Sequence, residues 1–181
     1  LLGERELCLI GVRTGDILAR HGLRLSAPDP GRRRQAVSAL CEVIDYAACF
    51  GSPKILVGMM QGKLLEGESI TRALEWIADG LATAAKTAAR HNMIIGLEPV
   101  NRYIVGYNRT IKDVKSLINR IGAPNIQLLV DTFHMNIEEA SPLRSIEAAG
   151  TRLFHFHAAD SNRRHPGAGH IDFARIIAAL E

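Results

Sequence analysis

Cysteine is scarce in this chain of 181 residues, and its placement excludes a cysteine-built metal site. Cys8, Cys41 and Cys49 form no metal-binding spacing. Cys41 and Cys49 fall in a helical pattern among apolar residues, where a free thiol packs as a small hydrophobe. A reduced, cytoplasmic setting is the default expectation. No apolar run is long enough to span a bilayer and no signal-peptide pattern is visible, so a membrane is not an expected partner. An excess of one charge is also missing. Lys and Arg number 22 against 19 Asp and Glu, leaving +3 at neutral pH, too weak a bias to point to nucleic acid. The one basic run, Arg32-Arg33-Arg34, opens a helical pattern and reads as a solvated turn. The glycines of Pro166-Gly167-Ala168-Gly169 lack the strand-turn-helix spacing of a nucleotide cradle, which excludes that reading.

What is present suits a soluble α/β domain, or most of one, with 47% hydrophobic residues available for a core. Five short apolar runs read as buried strands with no hairpin signal between them: Leu7–Val12, Lys54–Met60, Asn92–Leu97, Ile126–Asp131 and Leu153–His157. Helical spacing predicts helices over Arg32–Phe50, Ser69–His91, from Thr110 through Ile121, near Pro142–Ala149 and from Asp172 onward. Thr110-Ile111-Lys112-Asp113 reads as a capping sequence. Residues Thr14–Gly31, rich in glycine and proline, read as a long loop. Alternating strands and helices predict a parallel sheet, and a closed eight-stranded barrel takes about 250 residues. The expectation is an incomplete (β/α)₈ TIM barrel of about five βα units over residues 1–181. The start at Leu1-Leu2-Gly3-Glu4 without methionine, and the stop at Glu181 within a helical pattern, read as cuts through a larger domain.

Three of the runs end in a residue able to hold a metal. Glu98, Asp131 and His157 are 33 and 26 positions apart, about one βα unit each. In a parallel barrel the C-terminal strand ends are where active sites are built. Any one of these residues is equally an ordinary strand-end polar group, but three in register point to a site. Two carboxylates and one imidazole suit Mn²⁺, Mg²⁺ or Co²⁺, with Mn²⁺ foremost. Such an ion lying against two adjacent oxygens of a hydroxyketone acidifies the C–H between them, with Glu98 as the carboxylate base in hand. His134, read as a loop residue at the mouth of the site, is a candidate hydrogen-bond partner for a substrate hydroxyl or an exposed residue. Arg163 is a candidate for orienting a substrate oxygen, weighed equally against a surface arginine beside Arg164. His155 shares a strand face with His157 and reads as a satisfied core histidine. Asn101 and Arg102 read as loop braces.

The motifs Leu97-Glu98-Pro99-Val100-Asn101-Arg102-Tyr103, Asp131-Thr132-Phe133-His134-Met135-Asn136-Ile137-Glu138-Glu139 and His155-Phe156-His157-Ala158-Ala159-Asp160-Ser161-Asn162-Arg163 resemble those of the xylose-isomerase-like sugar isomerases and epimerases. Within that superfamily they are most similar to the D-tagatose 3-epimerase group, which includes psicose and L-ribulose 3-epimerases. The resemblance runs from the third strand of the barrel to the helix before the eighth. It implies Glu98, Asp131 and His157 as metal ligands, Glu98 also as one acid/base, and His134 and Arg163 as substrate contacts. It further implies proton transfer at C3 of a ketose through a cis-enediolate between two glutamates, a small-molecule sugar as substrate, and a homo-oligomer, dimer or tetramer.

Two departures stand out. The second catalytic glutamate of the group lies on the eighth strand, beyond Glu181, and Ile104 stands where the group usually places another glutamate. An aldose–ketose, inosose or hydroxypyruvate-type isomerase, or one acting on a phosphorylated sugar, is compatible with the remaining ligands. Two other classes are a hydrolase of the endonuclease IV type, which needs a multinuclear zinc site and a basic groove, and a non-catalytic barrel fragment with open sheet edges.

Overall fold

The strands pair in the order in which they occur. In the computed structural model, which describes residues 5–181, β1 (Gly11–Arg13), β2 (Lys54–Val57), β3 (Ile95–Leu97), β4 (Ile126–Asp131) and β5 (Leu153–His157) form one sheet of order β1-β2-β3-β4-β5, parallel throughout. Every crossover carries helix: α1 (Gly15–His21) and α2 (Pro30–Ala47) after β1, α3 (Ile70–Arg90) after β2, α4 (Ile111–Ile121) after β3, and α5 (Thr132–Glu138) and α6 (Pro142–Ala149) after β4. A last helix, α7 (Phe173–Leu180), follows β5. The sheet is curled. Lys54 Nζ of β2 lies 4.9 Å from the centre of the Phe154 ring of β5, although a flat sheet would separate these strands by three spacings of roughly 4.8 Å. This is an arc of five units of a (β/α) barrel. Leu1-Leu2-Gly3-Glu4 lie outside the described residues.

The helices start where a side chain can satisfy their free N–H groups. Asp29 caps α2 by accepting from Arg32 N at 2.7 Å. Thr110 and Asp113 cap α4 reciprocally, as the sequence predicts, each accepting from the other's backbone N–H. The inner faces then pack on the sheet: Leu40 and Ile44 of α2, Ile77 and Leu81 of α3 and Val114 and Ile118 of α4 are buried with Ile55, Val57, Ile95, Leu97, Ile126 and Leu128. Burial on both faces explains the continuous apolar runs of β2, β3 and β4, whereas β5, expected to be buried, is half-buried along its whole length.

Several expectations need correction. The run Leu7–Val12 pairs only from Gly11 onward, and Leu7 and Ile10 are 59% and 67% exposed. The stretch Thr14–Gly31 is not all loop: α1 lies within it, buries Ile17 and ends at Gly22, whose φ of 61° is the left-handed turn that glycine tolerates. Cys49 is exposed, whereas Cys41 is half-buried. The basic run is not merely solvated. Arg32 donates to His21 O, Arg33 donates to Ala27 O and Pro28 O, and the Arg33 guanidinium stacks 4.2 Å from the Trp76 ring, so these arginines fasten α2 to what precedes it.

The loop after β5 is folded around Asp160, whose side chain is fully buried. Its carboxylate accepts from Ser161 N at 2.7 Å, Gly167 N at 2.9 Å and Ile171 N at 3.1 Å, and its backbone N–H donates to Arg164 O. Gly169 is required by proximity, because any Cβ there would collide with the Asp160 carboxylate and the Ser161 hydroxyl. Burial raises the carboxyl pKa, but the N–H groups of Gly169, Ser161, Ile171 and Gly167 outweigh it and hold the group at about 2. With the folded value below the ordinary one, the support this carboxylate gives is complete above the ordinary carboxylate range and is lost as pH falls toward about 2. Hydrogen exchange should therefore find the Gly167 and Ile171 amides still protected at pH values where ordinary aspartates are protonated. In Asp160→Asn the same amides should exchange faster at every pH, and equal protection in variant and parent would refute this role.

Candidate metal centre

Three strand ends bring the expected donors together. Glu98 is the first residue beyond β3; its N–H donates to Val57 O at 2.9 Å, extending the ladder by one residue. Its carbonyl accepts from Gln61 Nε2 at 2.9 Å. Gln61 is buried and held in turn, its Oε1 accepting from Asn108 Nδ2 at 2.8 Å and its backbone carbonyl accepting from the Tyr107 hydroxyl at 3.0 Å. Burial pushes the Tyr107 phenol up to about 12, keeping it a neutral donor. Gly58 leaves the room the Glu98 carboxylate needs, since a Cβ on Gly58 would fall on Glu98 Oε2. On the next pair of strands, Asp131 lies opposite His157 in the β4–β5 register. Asp131 Oδ1 caps α5 by accepting from Phe133 N at 2.9 Å. Its other oxygen, Oδ2, lies 4.0 Å from His157 Nδ1, and Glu98 Oε1 lies 3.5 Å from the same nitrogen.

His134 is not in a loop. It stands in the first turn of α5, 4% exposed, and one of its ligand atoms falls within 4.8 Å of donor atoms of both Glu98 and Asp131. Two histidines thus compete for a place beside the carboxylates, and hydrogen bonding separates them. Asn101 Oδ1 accepts from Tyr103 N at 3.1 Å, which turns its amide nitrogen toward His134 Nδ1 at 2.7 Å. The His134 Nδ1 lone pair is therefore engaged, and a neutral ring must carry its proton on Nε2. Burial lowers the His134 pKa and keeps the ring neutral. In that tautomer His134 is a hydrogen-bond donor at Nε2. Asn101 is thus more than a loop brace, and no sequence spacing revealed the pairing, because the partners are 33 residues apart. Arg102 does brace its loop, against Glu138.

The electrostatics suit a cation. Burial raises the Asp131 carboxyl pKa; the Phe133 N–H and His134 lower it and the Glu98 carboxylate raises it further. The Glu98 carboxylate beside His157 raises the imidazole pKa, against burial. Two carboxylates drawn together in a partly desolvated place repel each other unless a positive charge lies between them. The two carboxylate oxygens and the imidazole nitrogen are the mixed donor set a hard divalent ion takes. These groups line a cavity of about 310 Å³ with Gly58, His134, Arg163 and, from the far end of the sheet, Arg13. Arg163, with φ 63°, stacks its guanidinium 4.8 Å from the Phe133 ring. His155 packs edge-on against His157 with ring centres 5.0 Å apart, half-buried rather than in the core. Ile104 is half-buried and packs against the hydrophobic core.

A family model described as the xylose isomerase-like TIM barrel matches residues 6–181. The chain is 34% identical over 158 residues to an L-ribulose 3-epimerase of Mesorhizobium japonicum, covering 86% of this chain and 53% of that protein. It is 37% identical over 100 residues to a D-psicose 3-epimerase of Enterocloster bolteae, covering 55% and 33% respectively. The crystal structure of a 3-keto-D-glucoside 4-epimerase from E. coli superposes with a TM-score of 0.85 at 25% identity, over 99% of this chain and 69% of that one. The chain therefore spans between a third and about half of the length of these two curated relatives. No helix among the described residues is long and apolar enough to cross a membrane. With the family model covering nearly the whole chain and five parallel βα units in the fold, the chain belongs to the xylose isomerase-like TIM barrel family.

Proposed function

We propose that this chain carries the metal-binding side of a sugar isomerase or epimerase active site, working on the carbon next to a ketose carbonyl. Glu98, Asp131 and His157 hold a divalent cation, Mn²⁺ foremost, with Mg²⁺ and Co²⁺ as alternatives. The observation that carries the reading is the convergence of these donors from the ends of β3, β4 and β5, with His157 Nδ1 at 3.5 Å and 4.0 Å from the two carboxylates. Likeness to L-ribulose and D-psicose 3-epimerases supports ketose 3-epimerisation as the activity. When bound, the cation supplies the positive charge that stabilises negative charge developing on the oxygens beside the reacting carbon.

Three of the chain's own residues act on the substrate, and the return of the proton falls to a second acid outside this chain. Glu98, fixed at N–H and carbonyl, takes the proton from that carbon. His134 donates from Nε2 to a substrate oxygen in the tautomer that Asn101 fixes. Arg163 directs its N–H groups at a second substrate oxygen while the Phe133 ring supports its plane. Ile104 favours a second reading, a related isomerase or a different sugar, because it puts an apolar side chain where the epimerases place a carboxylate. A multinuclear hydrolase site finds less support: the described residues contain one group of three donors, Glu98, Asp131 and His134.

Calorimetry should detect Mn²⁺ binding that Asp131→Asn abolishes, and in the complete protein ketose isomerisation should stop on chelation and resume when Mn²⁺ is restored. Activity that survives exhaustive chelation would sink the reading. In Gly58→Ala the new methyl displaces the Glu98 carboxylate, and Mn²⁺ affinity should fall by about tenfold to a hundredfold without loss of far-ultraviolet ellipticity. Unchanged affinity would mean that Glu98 is not a ligand. Asn101→Asp places a second acceptor against His134 and draws the ring proton to Nδ1. Nitrogen-15 shifts should report that tautomer, and kcat/KM of the complete protein should drop on the order of a hundredfold; an unaltered tautomer would contradict the hydrogen-bond assignment.

A further inference from the structure

Two arginines line the cavity besides the metal-ligand candidates. Arg13, the last residue of β1, and Arg163, in the loop after β5, both reach it, from opposite ends of the five-stranded sheet. Both residues are exposed and line the cavity, and none of the ion pairs found among the described residues involves either of them. That distinguishes them from Arg24, paired with Glu68, and Arg102, paired with Glu138. Arg163 is further committed. Its stacking on Phe133 and the Asp160-centred loop behind it fix the plane of the guanidinium but leave the N–H edges unused.

We propose that the substrate is an anionic hydroxyketone, carrying a carboxylate or a phosphate that Arg13 and Arg163 hold together. A planar guanidinium meets two oxyanion oxygens at once, and two of them facing one cavity are a receptor for such a group rather than for isolated hydroxyls. The proposal rests on the reading that Glu98, Asp131 and His157 act on a hydroxyketone, because it assigns the part of the molecule that those residues do not touch. Arg13 would then be a specificity-determining residue, and the substrate would be supplied by a phosphorylating step or by a reaction producing a 2-keto or 2-hydroxy acid.

The test is calorimetric titration of the protein, with and without Mn²⁺, by a free ketopentose, its 5-phosphate, hydroxypyruvate and inorganic phosphate, using the parent, Arg13→Gln and Arg163→Gln. Arg13 is exposed, so Arg13→Gln should keep the fold, which far-ultraviolet ellipticity checks. The expected result is that the 5-phosphate or hydroxypyruvate binds at least about tenfold more tightly than the free ketose. Arg13→Gln should remove that advantage, a loss of about tenfold to a hundredfold per charge-assisted contact, while free-ketose affinity stays as in the parent and Mn²⁺ binding is retained. Whichever of the two anions leads identifies the source of the charge. Equal binding of the free ketose, or an anion preference that survives both substitutions, would overturn the proposal while leaving the metal reading intact. Arginine-dependent anion binding by a protein that takes up no Mn²⁺ would do the reverse, and absence of any binding would overturn both.

Discussion

Parallel pairing gives every strand the same polarity, so all five leave the sheet on one side, and whatever follows their last residues is gathered at one rim. Registers then decide which residues meet. The β4–β5 ladder sets Asp131 opposite His157, and the β2–β3 ladder, prolonged by the Glu98 N–H, brings a second carboxylate alongside. Curling of the sheet closes the remaining distance, letting Arg13 at one edge share a cavity with His157 at the other. A slip of one position in β5 would turn His157 to the helices and His155 with it.

Charge placed at a sheet rim would be costly without neighbours to hold it, and the loops meet that requirement with buried polar contacts. Gln61 joins the turn after β2 to the Glu98 carbonyl and to Asn108, while Asn101 joins the loop after β3 to His134 on α5. Asp160 does similar work for the loop that carries Arg163. These contacts lie behind the groups facing the cavity. They limit how far those groups can rotate, which is what gives a donor atom a defined position.

Much of this was readable in the chain. Continuous apolar runs ending in Glu98 and Asp131 mark strands buried on both faces, the run ending in His157 marks a strand that is only half-buried, and Thr110 with Asp113 marks a helix start, because these signals are local in sequence. Other features escaped for a physical reason. The helix Gly15–His21 is short and bounded by glycines, and packing of Ile17 outweighs its local signal. His134 reads as loop because its helix begins directly at the strand end, with Asp131 as its own cap. The roles of Asn101, Gln61 and Arg13 depend on residues dozens of positions away that only the folded sheet brings near.

The two oxygens of Asp131 are committed to different neighbours, Oδ1 to the first turn of α5 and Oδ2 to the side facing His157. That division leaves little tolerance for exchange at this position. Asparagine keeps a cap but presents no second charged oxygen; serine caps with its single oxygen and has nothing left over; glutamate, a methylene longer, has the charge but no longer fits the short span to the Phe133 N–H. Among natural side chains aspartate alone meets both demands, so the geometry of the helix start and the charge at the rim cannot diverge separately under mutation. Variation in this protein would have to come from the loops around Asp131, with that residue as a fixed point.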